Sequence, residues 1–528
     1  MSRLLIIGLI LLAAVAIVLR TANLAQRPMH CDEAVHAIKL KNFWAGNGYK
    51  YDPHEYHGPD LYYFTLPVLF LKNAAPNLSN ISEADLRIIP AIFGFLTVLV
   101  LLLLTSKKAG QTWNNSIYWA MALLGISGPF VFYSRYFIHE TLLVFFTVLF
   151  AGALLRYYFT TNIAWVLVAG LALGLMHSSK ETFVFNLFGL AAGGIFEYVL
   201  GLKNKTAIFK PNKKIILHTL LALVVAFFVS LTFFTSFFSD LDGIADSVKT
   251  YVFWFERSQK LAVHHHPWYY YFGLLIYNPK VGFTFGNEGF ITLMALFGAV
   301  VAFMSLFKPD SMSIDFILAR FIAIYTLVVA FIYSAIPYKT PWCLLNFWLG
   351  AIILAGWGIS NLFEKLRKST YQKILAFFIV CIGLLLTFFH TWSTSFRYFA
   401  TPANPYVYAH TSPDIMRLVN TVQRLAEIHP NKKDMLIKVM VKTGDYWPLP
   451  WYFRDLNKCG WWSSIPTYPE APVVISSPEF DSELEPRFKG RYVPIGYYAL
   501  RHAVFLEAYV DLKLWTEYLK KFPPLDSD

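Results

Sequence analysis

The chain has 528 residues, of which 56% are hydrophobic and 18% aromatic, and its mean hydropathy is +0.47. This excludes an ordinary soluble domain. The formal charge of +12 does not point to nucleic acid, because much of it lies in short connectors between apolar runs, where Lys and Arg orient a membrane chain. The four cysteines, Cys31, Cys343, Cys381 and Cys459, are too scattered for a metal-ligand cluster or a disulfide framework, and no bond between Cys31 and Cys459 is expected.

The first apolar run, Leu4–Val18, is flanked by Arg3 and Arg20. It lacks a clear small-residue cleavage site, so it reads as an uncleaved first helix rather than a signal peptide. Runs near the length needed to cross a bilayer place spans near 4–22, 86–106, 113–132, 138–159, 162–177, 182–201, 215–238, 287–307, 316–336, 341–360 and 374–392. The count of about eleven puts the termini on opposite sides. Lys107 and Lys108, Arg156, the group Lys203, Lys205, Lys210, Lys213 and Lys214, then Lys308, and finally Lys365, Arg367, Lys368 and Lys373 all fall on the side of the N-terminus. By the positive-inside pattern that side is cytoplasmic. The expected class is an all-α polytopic membrane protein of residues 1–392, integral to the cytoplasmic membrane, followed by a small extracytoplasmic α/β domain over 393–528.

Four segments then lie outside: the loop 23–85, the turn from Tyr133 to Glu140, the loop 239–286, and the tail. Within the first loop, Leu61–Leu71 is apolar but too short to span, and it predicts a helix lying at the interface. Charged groups at one end of successive spans are costly beside lipid and mark a site by default. Asp32 and Glu33 follow the first span, and a partly buried carboxylate there can serve as a general base, although an Asp-Glu pair also suits an ordinary polar loop. On the same side stand His36, His57, Tyr62, Arg135, His139, Glu140, His177, Lys180 and Glu181. Glu140 opens a strongly apolar helix and needs a partner, either Arg135 or Lys180.

Lys339 lies between Pro337 and Pro341 at an outer span boundary, where it can snorkel to the surface or meet a lipid phosphate. Arg257 and Lys260 are weaker candidates for that phosphate, which needs cations as it leaves. His264, His265 and His266 with Glu33 or Glu140 could hold a divalent metal as cofactor, but a consecutive run is not a ligand spacing and at most two would serve. Trp268 and Tyr269 follow in a run of rings that favours the headgroup level. In the tail, Met435–Val441 and Ala471–Ile475 read as buried strands, and Ser412–His429 reads as a helix capped by Ser412 with Pro413 in its first turn. No Walker-type loop and no internal repeat is present, which argues against an ATP-driven or paired-half transporter.

These motifs resemble membrane glycosyltransferases of the GT-C fold, including the protein O-mannosyltransferases and the aminoarabinose transferases. The acidic motif is Asp32-Glu33-Ala34-Val35-His36, and the histidine-proline motif is His57-Gly58-Pro59-Asp60-Leu61, with glycine where proline is usual. An Arg…Glu element runs from Arg135 to Glu140, and a loop ends in Pro267-Trp268-Tyr269-Tyr270. Three further segments, Pro337–Trp342, Tyr406–Asp414 and Asp445–Asp455, are similar to an archaeal and bacterial family labelled flippase-activity-associated.

The resemblance implies an inverting hexosyltransferase. It would move a sugar from a polyprenyl-phosphate donor to a hydroxyl on a lipid, glycan or protein, at the extracytoplasmic face. It casts Asp32 as base, with Glu33 and Glu140 orienting sugar, acceptor or metal. Arg135 would meet the donor phosphate, and Lys180, Lys339 and Arg257 join it from topology. His36, His57, Tyr62, His139, Trp268 and Tyr269 would face substrate. The family label also keeps open a flippase, or a flippase partner, that binds the lipid-linked sugar without reacting it. A third reading is a scaffold whose tail recruits envelope enzymes.

Overall fold

The computed structural model describes residues 3–54, 57–206, 212–260, 264–276, 287–308, 310–442 and 444–523. The side chain of Lys260 lies outside the described residues. Among the described residues, sixteen α-helices make up most of the region before residue 393. They are α1 (Arg3–Thr21), α2 (Cys31–Asn42), α3 (Asp60–Leu71), α4 (Glu83–Val100), α5 (Gln111–Ile126), α6 (Gly128–Ser134), α7 (Glu140–Thr160) and α8 (Ile163–Ser179). There follow α9 (Phe183–Lys203), α10 (Lys213–Phe234), α11 (Gly243–Lys260), α12 (Tyr270–Ile276), α13 (Gly289–Met304), α14 (Ile314–Ala335), α15 (Leu345–Lys365) and α16 (Thr370–Trp392).

Among the described residues eight helices are long and apolar enough to cross a membrane, and α5 with α6, bent by 55°, makes a ninth. Each of the eleven runs marked in the sequence is helical. The first and the fifth, α1 and α8, fall among the shorter apolar helices. The chain is thus a multi-pass membrane protein. The central element is α15, buried along nearly its whole length between α5, α13 and α14. Glycines allow this: a Cβ at Gly298 would stand 2.0 Å from the Leu354 carbonyl oxygen, and one at Gly356 2.2 Å from that of Ser116. Small residues at such crossings let backbones approach where lipid gives no hydrophobic drive. By contrast, α10 and α16 leave apolar faces exposed, as lipid-facing helices do.

The 23–85 segment holds two helices that do not span. His30 caps α2 through a capping box: its imidazole accepts from the Asp32 N–H while Glu33 accepts from the His30 N–H. Asp60 opens α3, where Ser179 at the end of α8 donates to its carboxylate.

The C-terminal region is a five-stranded mixed sheet with helices on its faces. Its helices are α17 (Ile415–Ile428), α18 (Leu449–Tyr452), α19 (Asp481–Phe488) and α20 (Leu512–Lys521). The strands β1 (Ile437–Met440), β2 (Cys459–Trp462), β3 (Val473–Ser476), β4 (Tyr492–Arg501) and β5 (Val504–Asp511) run in the order β2-β1-β3-β5-β4. The first three are parallel, and β5 pairs antiparallel with both β3 and β4. One expected boundary is corrected. The helix placed at Ser412 begins at Ile415, because Thr411 bridges to Arg501 and the Ser412 N–H is donated to Leu500, which holds this stretch beside β4.

The tail sits on the 23–85 segment through its aromatic motif. Tyr452 Oη accepts from the Met29 N–H at 2.8 Å, Arg454 donates to the Leu78 and Ile81 carbonyls, and Trp451 reaches Glu83. Thr411 donates to the Met29 carbonyl at 2.6 Å. Trp451 is fully buried. The motif therefore packs the tail against the loop that carries Asp32.

Candidate functional site

The two acids of the first motif part company. Glu33 is fully buried and takes both Nε and Nη2 of Arg87 at 2.7 Å, with Arg27 at 3.5 Å. It also accepts the His30 and Phe137 N–H groups at 2.9 Å. Although burial opposes ionisation, Arg87 and Arg27 outweigh it and hold this carboxyl down at about 2. Every lone pair is engaged, and the residue ties α2, α4 and the turn before α7 together. Asp32 is the opposite case, with a side chain 43% exposed and the His30 ring 4.0 Å away. Its charge acts on His36, His264, Tyr338 and Tyr408.

Around Asp32 the structure gathers residues distant in sequence. His36, one helical turn on, bonds Tyr62 Oη at 2.8 Å, and its ring centroid is 4.9 Å from that of His139 and 6.3 Å from that of His57. Burial pushes the His36 imidazole down to about 3, so it is neutral at physiological pH. His57 Nδ1 lies 3.0 Å from Glu181, and its ring stacks on Trp254 at 5.1 Å. The Arg257 guanidinium stands 4.9 Å from that same indole. Gly58 explains the departure from proline: a Cβ there would lie 1.8 Å from the Ser178 carbonyl oxygen. Its N–H is donated to Ser179, and its carbonyl bonds the His139 ring at 2.8 Å.

Glu140 and Lys180 form a buried ion pair, which decides between the two partners open to Glu140. Both Lys180 and Arg257 act on Tyr338, as Asp32 does, so cations and the exposed carboxylate share one neighbourhood. Lys339 donates to the His266 and Ile336 carbonyls, and burial lowers its pKa. His264 bonds Tyr408 Oη, and His265 bridges to Tyr338.

Other predicted residues lie apart from this neighbourhood. Arg135 spends its guanidinium on the carbonyls of Leu19, Arg20, Ala22 and Asn23, closing the end of α1, and covers the Phe396 ring at 4.4 Å. Trp268 and Tyr269 are exposed at 66% and 55%, packed edge-to-face on each other. His266, by contrast, stays within it: its ring stacks on that of Tyr270 at 4.1 Å and lies 6.0 Å from that of Tyr408. Among the described residues no set of three His, Cys, Asp or Glu side chains converges to hold a metal. Adjacent side chains of the histidine run diverge, and Glu33 and Glu140 are committed to Arg87 and Lys180.

Sequence reading missed Arg27, Arg87, Trp254 and Tyr408. Arg87 was findable, since it is an arginine at the start of an apolar run, which needs a buried partner. Trp254 carried no local signal.

Below the site an apolar groove of about 420 Å³ opens between α8, α9, α10 and α11. Leu223, Phe227 and Val248 line it and are at least half exposed. His177, hydrogen-bonded to Ser230 at 2.6 Å, lines it with Ser230 and Ser247 as polar groups, three residues before Lys180.

A family model described as dolichyl-phosphate-mannose-protein mannosyltransferase matches residues 10–240. A sequence comparison with curated proteins gives no match. Among solved structures, ArnT from Cupriavidus metallidurans superposes with a TM-score of 0.61 at 13% identity, covering 96% of this chain and 98% of that one. It has also been solved bound to undecaprenyl phosphate, at the same TM-score. The archaeal oligosaccharyltransferase AglB from Archaeoglobus fulgidus, in complex with an inhibitory peptide and a dolichol-phosphate, superposes with a TM-score of 0.57 at 14% identity, covering 94% of this chain and 74% of that one. At such identities the likeness is one of fold alone, a polytopic helical region followed by a small mixed sheet.

Proposed function

We propose that the chain is a membrane glycosyltransferase that transfers a sugar from a polyprenyl-phosphate donor to a hydroxyl acceptor by one inverting displacement. The carrying observation is the split between Asp32 and Glu33. One carboxylate is left open, with Arg257 and Lys180 acting on the same Tyr338 as it does, and its neighbour is fully engaged in the scaffold. Asp32 takes the proton from the acceptor hydroxyl as the oxygen attacks the anomeric carbon. Arg257 and Lys180, with His57 beside them, meet the phosphate as it leaves on the opposite face. Glu140 keeps Lys180 charged in its buried position. Glu33 and Arg135 act at one remove, by fixing the turn and helix that present Asp32. The groove below His177 suits the isoprenoid chain, which stays in lipid while its phosphate reaches Lys180.

The same reading places eleven spans in the membrane, a cytoplasmic N-terminus, and the site and tail outside. The donor relation rests on fold-level likeness to proteins solved with polyprenyl phosphates, together with the cations that act on Tyr338 as Asp32 does. The test is Asp32→Asn, assayed with a radiolabelled polyprenyl-phosphate sugar and an envelope extract. Lost transfer with normal yield and unchanged donor affinity is expected. Retained transfer overturns the base assignment. Donor carried across proteoliposomes without any glycosylated product would favour the flippase instead.

A further inference from the structure

Arg27, Arg87 and Arg135 converge behind Glu33, away from the residues assigned to the transfer reaction. With Gln26, Leu24 and Ser395 they line a small cavity of about 10 Å³. All three arginines are buried, at 6%, 1% and 5% exposure. Glu33 is the carboxylate in contact with them, bonded to Arg87 and Arg27, and Glu83 acts on Arg87 from farther away. Arg135 has no carboxylate among the groups that act on it, and its neighbours Arg27 and Arg87 repel it.

Burial pushes both Arg27 and Arg135 down to about 9, which leaves them protonated at neutral pH. Three positive charges thus face one negative charge in a place with little water. The rings of Tyr136, 3.5 Å from the Arg27 guanidinium, and of Phe396 offset part of the imbalance. They do not neutralise it, and a buried charge without a counter-charge is costly. Two further groups on the cavity wall point to a ligand. Arg27 Nε and Ser395 Oγ are buried, lack any hydrogen-bond partner, and belong to residues that line the cavity.

We infer that this cavity binds a monatomic anion, chloride under physiological conditions, held by Arg27 Nε and Ser395 Oγ beside the positive charge of Arg135. Size makes the choice. A cavity needs roughly 10–15 Å³ by this measure to hold a single water. A halide is somewhat larger than one water, whereas a phosphate or a lipid headgroup is several times larger. Charge then favours the halide over water. The ion is structural: it completes the charge balance of the cluster that clamps α1, α2 and α4 behind Asp32.

The test uses the full-length protein in detergent. Its melting temperature is measured against increasing chloride, bromide, gluconate or phosphate at constant ionic strength. A saturable rise in chloride and bromide, absent in gluconate and phosphate, is expected. Equal melting in all four, or a rise in phosphate alone, overturns the proposal. Ser395→Asp supplies a fixed negative charge, so it should melt in gluconate as wild type does in chloride and lose the halide dependence. If that variant does not fold, location is read from anomalous diffraction of wild-type crystals grown in bromide. Density between Arg27 and Ser395 supports the site, and halide found only elsewhere refutes it.

Discussion

Arg87 offers the sharpest test of how the site is held. Replacing it with Met removes both 2.7 Å bonds to Glu33 and leaves that carboxylate, fully buried, with two backbone N–H groups and a distant Arg27. Breaking one side of a buried ion pair costs about 3–5 kcal/mol, because an uncompensated charge remains. That is a large share of the roughly 5–15 kcal/mol that holds a typical domain. Arg87→Met should therefore unfold at a markedly lower temperature in detergent. The double variant Glu33→Leu with Arg87→Leu should recover part of the loss, since no charge is left unpaired.

The pH dependence follows with a definite sign. A carboxyl whose folded pKa is depressed contributes stability that is fully present above about 4.5 and is lost as pH falls through about 2. Wild type should lose about 3 kcal/mol across that window that Glu33→Gln does not lose. The readout is denaturant unfolding of the purified protein in detergent at stepped pH. If Arg87→Met melts with wild type and the acid limb is unchanged by Glu33→Gln, then Glu33 is not the scaffold acid, and its assignment returns to the reaction.

Three other outcomes follow from the same geometry. Gly58→Ala must displace the Ser178 carbonyl, and overpacking of this kind costs about 1–3 kcal/mol; transfer should fall more than stability, because His57 and His139 move with that turn, and near-normal turnover would contradict this. Lys180→Met should lose both fold and transfer, whereas Lys180→Met with Glu140→Met should regain expression without regaining transfer, as read by yield and a labelled-donor assay. Trp451→Ala should cost about 3–5 kcal/mol and loosen the tail from the 23–85 segment, seen as faster amide exchange around Met29 and Leu78.

Most of the helical region was legible because the membrane imposes one strong rule: every backbone group in lipid must be bonded internally, so apolar length alone marks a helix. The runs expected as spans are all helices, including α1 and the shorter α8. The bend between α5 and α6 was not legible. It occurs at Ser127-Gly128-Pro129, where Glu288, far off in sequence, accepts the Gly128 N–H at 2.8 Å. In the tail, short apolar runs located β1 and β3, but the start of α17 was missed because a cap-like Ser412 was already committed to β4.

The site was legible as a set of residue types, and its division of labour was not. Asp32 and Glu33 are neighbours with similar chemistry, and no local rule says which one faces the reaction. The difference comes from helix phase. His30 caps α2, the third helical position must then fold back to the cap, and Glu33 occupies that position, facing the interior where Arg87 arrives from α4. Asp32 is rotated by about 100° from Glu33 and turns outward, with His36 on its own face one turn later. A charge found near a membrane boundary therefore carries two readings, and the position of the nearest helix cap separates them. Applied to Arg135, the same reasoning explains why a cation expected at a phosphate instead closes the carbonyl end of α1. A helix terminus leaves four carbonyls unsatisfied, and a buried one must find donors nearby. The residues left for the proposed reaction are Asp32, His57 and Arg257, with Lys180 paired to Glu140.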